Sequence, residues 1–129
     1  PKKCNIIDYG FINIQSETFL KIVETCSFSI LLSCSEGMAT SITTSMLHGL
    51  VPVVMRNAGF NRLGDNAIFL DDYRIDYLND MLSRLAEYDP SDLELLSEKI
   101  RAFASRNFNP EAYEKTMRSI LLEIIQEKY

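Results

Sequence analysis

Residues 28–55 read FSILLSCSEGMATSITTSMLHGLVPVVM, and this stretch decides the fold class. Apolar runs at residues 28–32 and 51–55 are each typical of a strand that is covered on both faces. Between them lie a small polar loop and a helix predicted over residues 41–48, which Gly49 ends. Two strands joined by a helix in this way predict parallel pairing.

The same alternation continues on both sides of this unit. Residues 5–9 predict a short strand that ends near Gly10, and residues 67–70 predict a last strand. Ser16 predicts the N-cap of the helix that follows the first strand. The apolar face of that helix consists of Phe19, Ile22, Val23 and Cys26. The order predicts an α/β fold, a Rossmann-like parallel sheet with helices on both faces.

Everything after Asp72 is predicted to be helical, in three amphipathic segments. A capping box over residues 91–94 predicts the start of the second segment, and Asn109 followed by Pro110 predicts the start of the third. The three apolar stripes, each expected to be core, are Ile75, Leu78, Leu82 and Leu85; Leu93, Leu96, Ile100, Phe103 and Ala104; and Tyr113, Met117, Ile120, Leu121 and Ile124.

Composition narrows the function classes. The chain has 129 residues, which suits one domain, and a net charge of −5 without a basic run, which disfavours binding to nucleic acid or to anionic membranes. Three cysteines (Cys4, Cys26 and Cys34) and a single histidine, His48, disfavour a disulfide framework and a zinc site. We expect a cytoplasmic protein without a transmembrane segment, and a piece of a longer chain.

The loops that follow the strands are where a ligand is expected. In parallel sheets ligands bind beyond the carboxyl ends of the strands, which indicates residues 10–15, 33–40 and 56–64. In the second loop, Gly37 lets a ligand approach the backbone closely. Glu36 would repel phosphate, but its carboxylate can accept hydrogen bonds from sugar hydroxyls.

The helix that follows this loop can hold an anion. The N–H groups of its first turn lack partners within the helix, and the hydroxyls of Thr40 and Ser41 add donors. The alternative is that these two side chains only cap the helix.

Two segments carry a resemblance to a known family. Residues 33–38, Ser-Cys-Ser-Glu-Gly-Met, and residues 46–54, Met-Leu-His-Gly-Leu-Val-Pro-Val-Val, resemble the donor-site signature of GT-B fold glycosyltransferases. The closest match is the large retaining group called family four. Residues 8–12, 57–59 and 108–113 resemble its strand-glycine turn, its glycine-containing loop and the start of its C-terminal helix. The resemblance covers nearly the whole chain.

The resemblance implies a role for each matched residue. The first Glu of the family contacts hydroxyls of the donor sugar, and the backbone amides after it approach the donor diphosphate. The substrate-binding residues implied here are Glu36, Gly37, Met38, Ala39, Thr40 and Ser41. Thr44 stands where the family has a second Glu that holds the ribose, and it offers one neutral hydroxyl in place of a bidentate carboxylate.

The implied activity is transfer of a sugar, as by a hexosyltransferase of polysaccharide biosynthesis, from a nucleotide-diphosphate sugar to a glycan, lipid or small acceptor. No metal or cofactor is required, and no catalytic residue is identified. The family's basic pair and its acceptor domain lie outside the matched segments. Residues 1–129 are therefore expected to be one partial domain, inactive alone, from an enzyme in the cytoplasm or at the inner face of the membrane.

Other functions remain open. Thr44 favours a non-catalytic α/β interaction or regulatory module related to the same family. A receiver domain is disfavoured, because Asp8 stands alone where such a domain needs paired acids. A first strand with a free edge would also permit dimerisation.

Five further polar residues are candidate site residues: His48, Arg56, Arg62, Asp71 and Asp72. The sequence has no G-x-S-x-G elbow with a serine that His48 could activate, which disfavours a catalytic role for His48. For Arg56 and Arg62, a solvated surface role is favoured over phosphate binding. The adjacent acids at residues 71–72 are predicted to begin a helix and not to hold a metal.

Overall fold

The computed structural model describes residues 6–127, which form a three-stranded parallel sheet flanked by helices. The strands are β1 (Phe28–Leu31), β2 (Val51–Met55) and β3 (Ile68–Leu70), in the order β1-β2-β3. The helices are α1 (Glu17–Thr25), α2 (Thr40–Leu47), α3 (Ile75–Ala86), α4 (Pro90–Asn107) and α5 (Pro110–Glu127), with a short 3-10 segment at Asn61–Asn66. The predicted α/β fold and the parallel pairing are confirmed.

The central strand β2 is buried along its whole length, as the apolar run predicted. Helices cover both faces of the sheet. On one face, the Ser45 hydroxyl of α2 donates to the Ser29 hydroxyl of β1 at 2.8 Å. Neighbouring residues of a strand point to opposite faces, so Phe28 lies on the other face, where its ring contacts the ring of Tyr88 just after α3.

Helix α4 packs across α2 and the central strand. Gly49 ends α2 with a φ of +85°, and a Cβ there would lie 2.4 Å from the Ser97 hydroxyl of α4. Arg101 of α4 donates to the His48 carbonyl at the end of α2. This close crossing needs glycine, and it helps to bury the core. The largest fully buried side chains include Phe60, Met46, Met55, Leu63, Leu70 and Ile100.

The predicted caps are mostly confirmed. The Ser16 hydroxyl accepts a hydrogen bond from the Phe19 N–H at 3.1 Å, and Asn109 Oδ1 accepts from the Ala112 N–H at 2.7 Å. The capping box over residues 91–94 is wrong, because α4 begins two residues earlier. There Asp89 is the N-cap and a proline occupies the first helical position, where its missing N–H is harmless.

The predicted strand at residues 5–9 is wrong over the part that the structure describes. Residues 6–9 form no strand and are exposed, while residue 5 lies outside the described residues. A strand needs a neighbour that bonds its backbone N–H and C=O groups, and no described strand pairs with this segment. The edges of the described sheet are therefore β1 and β3, so dimerisation through an edge at residues 5–9 loses its basis.

Two of the predicted apolar stripes are wrong in part. In α3, Met81 and Leu85 are buried, whereas Ile75 and Leu82 are exposed, because Met81 lies closer to the core-facing side of the helix. The α4 stripe is confirmed, with Ile100 and Ala104 fully buried. The α5 stripe exists but is exposed, and α5 has no buried residue. Within residues 6–127, the helices lack the combination of length and continuous apolar sequence that a membrane span requires.

Candidate functional site

The loops that follow the three strands meet at the carboxyl edge of the sheet, and Tyr73 joins them. Its hydroxyl lies 3.1 Å from the Ser33 carbonyl oxygen, just after β1, and 3.1 Å from Oδ1 of Asn57, just after β2. Tyr73 itself follows β3. One side chain thus connects all three loops at the edge where parallel sheets bind ligands.

The loops after β1 and β2 touch through their backbones. Gly59 has a φ of +72°, which disfavours any residue with a side chain. A Cβ on Gly59 would lie 2.7 Å from the Glu36 carbonyl oxygen and 3.3 Å from the Gly37 carbonyl carbon. Gly59 therefore fixes the position of the backbone that carries Glu36.

The start of α2 leaves two amide donors without hydrogen-bond partners in the part of the chain that the structure describes. Ala39 is the N-cap and has no side chain that could accept a hydrogen bond. Its carbonyl accepts from the N–H groups of Ile42 and Thr43 at 3.1 and 3.4 Å. Among residues 6–127, no hydrogen-bond acceptor meets the N–H groups of Thr40 and Ser41. These residues occupy the first two helical positions, so they do not cap the helix, and their amides can bind an anion.

The side chains of the predicted donor loop are accessible. Glu36 and Gly37 are exposed, and so are Thr40 and Ser41, whereas Met38 and Ala39 are half-buried. Met38 and Ala39 pack against the core, which anchors the loop. The carboxylate of Glu36 forms no ion pair with any described residue. Within residues 6–127, the loop therefore presents an acid without an ion pair and, at the start of α2, two amides without an acceptor.

Thr44 lies one turn after Thr40, so these two residues share a face of α2. Its side chain is half-buried and makes no hydrogen bond with a described residue, whereas the neighbouring Ser45 is buried and bonded. The Thr44 hydroxyl is therefore able to contact a ligand that reaches this face, with one neutral donor and acceptor.

Arg56, the first residue of the loop after β2, is already paired with a carboxylate. Its Nε donates to Asp71 Oδ1 at 2.6 Å, and its Nη2 lies 3.4 Å from Asp71 Oδ2. The hydrogen bond from Arg56 lowers the pKa of Asp71, and the same bond raises the pKa of Arg56. The Arg56 guanidinium also lies over the ring of Phe69. Arg56 therefore links the loops after β2 and β3.

The other sequence candidates lie apart from this edge or have local partners. No described hydrogen bond joins residues 6–15 to the loops after β1 and β2. The His48 ring contacts the Phe19 ring of α1, at the opposite end of α2. Asp72 accepts from the backbone and side chain of Arg74 just before α3, and the backbone bond is the main cause of its lowered pKa.

No metal centre is formed within residues 6–127. No group of three or more His, Cys, Asp or Glu side chains in this part of the chain could hold a metal ion. Cys26 and Cys34 are free and exposed.

The sequence prediction missed Tyr73. The signal that could have found it is its position three residues after β3, by the same rule that selected the loops after β1 and β2.

Comparison of the chain with protein-family models, with curated proteins and with solved structures finds no match.

Proposed function

We propose that this chain is the donor-binding part of a glycosyltransferase, a partial GT-B C-terminal domain that binds a nucleotide-diphosphate sugar. The observation that carries the proposal is the close approach of Gly59 to the Glu36 carbonyl. This contact packs the backbone of Glu36 against the loop after β2, at the carboxyl edge of a parallel sheet. The same loop leads into the uncapped start of α2, so a carboxylate suited to sugar hydroxyls precedes by four residues an amide suited to phosphate.

Each group has a defined task in this proposal. The Glu36 carboxylate accepts hydrogen bonds from hydroxyls of the donor sugar. The N–H groups of Thr40 and Ser41 donate to the diphosphate, which leaves as the sugar is transferred. These amides are held by the helix before the donor arrives, so they stabilise the developing charge without reorganisation. Thr44 contacts the ligand through a single hydroxyl at most.

The proposal is tested by isothermal titration of the 129-residue chain with a panel of nucleotide-diphosphate sugars. Glu36→Ala should weaken binding of the preferred sugar nucleotide by about 10- to 100-fold, because a charged hydrogen bond contributes about 1.5–3 kcal/mol. It should leave binding of the same nucleotide diphosphate without the sugar unchanged. Thr44→Ala should weaken binding less than about tenfold, since a neutral hydrogen bond contributes about 0.5–1.5 kcal/mol.

Two controls separate this effect from unfolding. Glu98→Ala removes an exposed acid on α4 and should not change binding. Thermal melts of all variants should agree within a few degrees, because Glu36 and Glu98 are both exposed. We expect binding without measurable sugar transfer by the chain on its own. Equal affinity of wild type and Glu36→Ala for every sugar nucleotide would refute the donor-site role.

A second candidate is a non-catalytic α/β interaction or regulatory module. Two observations favour it: Thr44 replaces a carboxylate, and the Arg56 guanidinium is paired with Asp71 instead of being free for phosphate. The same titrations decide between the candidates. A chain that binds no nucleotide diphosphate and no sugar nucleotide at millimolar concentration fits this second function.

A further inference from the structure

A cleft of about 550 Å³ opens between the donor loop, the 3-10 segment and the junction of α4 with α5. Its volume lies within the range of small-molecule sites. The residues that matter for its chemistry are Met38, Arg62, Leu63, Phe103, Phe108 and Tyr113. Three aromatic rings, a methionine and a leucine thus line the cleft with a single arginine, together with the polar side chains of Asn107, Asn109 and Thr116.

The arginine of this cleft is available to a ligand. Arg62 is exposed and forms no ion pair or hydrogen bond with any described residue. No carboxylate residue is among those that line the cleft, although the chain carries 18 acidic residues. A cation without a counter-charge beside apolar walls selects a ligand with an anionic group.

The walls of the cleft favour a ligand with a planar ring. Phe103 and Phe108 pack edge to face with centroids 5.9 Å apart, and both are half-buried, so this wall is fixed. Tyr113, at the start of α5, is 68% exposed, which leaves its ring free to stack. Aromatic side chains of this kind hold nucleic-acid bases by stacking, with little dependence on which base is present.

The cleft adjoins the donor loop through a shared residue. Met38 lines the cleft and belongs to the segment that also carries Glu36 and the start of α2. A ligand that spans this residue can therefore place one end at Glu36 and the other in the cleft. Thr44, which lacks the carboxylate that the sequence resemblance requires for ribose, is then not needed to hold the nucleoside.

We propose that the cleft binds the nucleoside end of the donor, with the base stacked on Tyr113 and the nearer phosphate paired with Arg62, while the phosphate next to the sugar accepts from the N–H groups of Thr40 and Ser41. The inference rests on the proposed function for the identity of the ligand. It goes beyond that function by moving the nucleoside from the Thr44 face of α2 to the junction of α4 and α5.

The test is isothermal titration of the 129-residue chain with uridine, guanosine and adenosine diphosphates, and with inorganic pyrophosphate as a probe without a base. Arg62→Leu should weaken binding of both kinds of probe by about tenfold or more. Tyr113→Ala should weaken the nucleoside diphosphates by roughly 10- to 100-fold and leave pyrophosphate unchanged, since only the base stacks. Tyr113→Phe should restore binding.

The matched control is Arg84→Leu. Arg84 is an exposed arginine of α3 that, within residues 6–127, also has no ion pair, and it lines a different cleft. The Arg84→Leu variant should bind all probes with the same affinity as the wild type. Melting curves should show that the variants stay folded, because Arg62 and Tyr113 are exposed.

The outcomes separate the two proposals. If nucleoside diphosphates bind the wild type but Arg62→Leu and Tyr113→Ala bind them equally well, this inference is wrong and the proposed function survives. A large loss with Thr44→Ala in place of the cleft variants would also overturn it. If a nucleotide-diphosphate sugar binds the wild type but no nucleoside diphosphate does, this inference is wrong and the proposed function survives. If neither kind of ligand binds, both proposals fail together.

Discussion

Helices α4 and α5 are built alike but used differently. Each has 18 residues, and each begins with a side-chain N-cap followed by proline at the first helical position. Helix α4 buries Ile100 and Ala104 completely, in contact with α2, β2 and the 3-10 segment. Helix α5 carries more apolar side chains in its last three turns, and all of them are exposed.

The difference shows what a hydrophobic stripe can and cannot determine. The 3.6-residue period decides which side of a helix is apolar. Burial requires in addition a surface that receives that side, and the described sheet offers one to α4 but not to α5. Helix stability in proteins comes mostly from such packing, so α5 depends on its cap and its local hydrogen bonds.

The largest contrast is expected from removing one isoleucine from each helix. Ile100→Ala should lower the free energy of unfolding by about 2–5 kcal/mol, because it opens a cavity in the core. Ile124→Ala, at a side chain that is 50% exposed, should lower it by less than about 1 kcal/mol. Urea denaturation followed by circular dichroism measures both. Equal losses would mean that the α5 face is covered in solution.

A smaller effect is expected from the cap of α5. Asn109→Ala removes the side chain that accepts from the Ala112 N–H, a change that typically costs about 0.5–2 kcal/mol. Because α5 has no buried residue, we expect this loss as fraying of α5 and not as global unfolding. The same substitution removes the hydrogen bonds that Asn109 Nδ2 donates to the Ser105 and Arg106 carbonyls at the end of α4. Hydrogen exchange of the amides at residues 112–118 should accelerate, while exchange around the buried Ile100 in the middle of α4 stays the same.

The control for this prediction is Asn107→Ala. Asn107 donates its side-chain amide to the Phe103 carbonyl at the end of α4 and contributes nothing to the α5 cap. It should leave the α5 amides protected to the same degree as in the wild type. Global acceleration of exchange in Asn109→Ala would show that α5 unfolds together with the core.

The sheet could be predicted because its determinants are local. The runs at residues 28–31 and 51–55 are apolar at almost every position, and both form strands. Only β2 is buried along its whole length, as predicted for both runs; β1 lies at an edge of the described sheet and leaves Ile30 exposed, so cover on both faces is wrong for β1. Gly49 and Ser16 marked helix ends by their own chemistry. By contrast, residues 6–9 have a strand-like composition, but a strand exists only with a neighbour, and composition does not supply one.

The α3 stripe failed for a related reason. Met81 and Leu82 are both apolar, and the sequence allows either of them to lie on the buried face of the helix. The choice depends on how α3 is rotated against the sheet, which the sequence of α3 alone does not specify. The structure buries Met81 and exposes Leu82.

The meeting of the loops after β1 and β2 was predictable, whereas the predicted loop at residues 10–15 does not join them and the loop after β3 does. The rule for parallel sheets placed the loop of Glu36 beside the loop of Gly59, and the structure brings their backbones together. The link through Tyr73 and the pairing of Arg56 with Asp71 were not predicted. Such contacts depend on how side chains cross between loops that are distant in sequence, by 15 residues for Arg56 and Asp71.

A still smaller effect is expected from a polar substitution on the exposed face of α5. Leu122→Gln should change the free energy of unfolding by no more than about 0.5 kcal/mol, because the side chain is 52% exposed. Leu85→Gln on α3 is the matched control, since Leu85 is buried and an amide there would lose its hydrogen bonds to water. Melting temperatures should separate the two variants clearly. A strong loss with Leu122→Gln would contradict the exposure of this face.

The finest distinction between the two helices is in the pH dependence of their caps. The Asp89 carboxylate caps α4 and accepts from the Ser91 hydroxyl at 2.6 Å and from the Ser91 N–H at 2.9 Å, and the hydroxyl bond is the main cause of its lowered pKa. The pKa of Asp89 in the folded state lies below the unfolded value of about 3.9. The ionised carboxylate therefore contributes fully to the free energy of unfolding at any pH above about 3.9. This contribution is lost as the pH falls through the folded pKa. Asn109 does not titrate, so the cap of α5 should be independent of pH.

Asp89→Asn keeps a good cap without the charge. The difference in melting temperature between wild type and Asp89→Asn should stay constant from pH 7 to pH 5 and shrink below pH 4. A difference that stays constant down to pH 2 would show that the ionised form of Asp89 does not stabilise the start of α4.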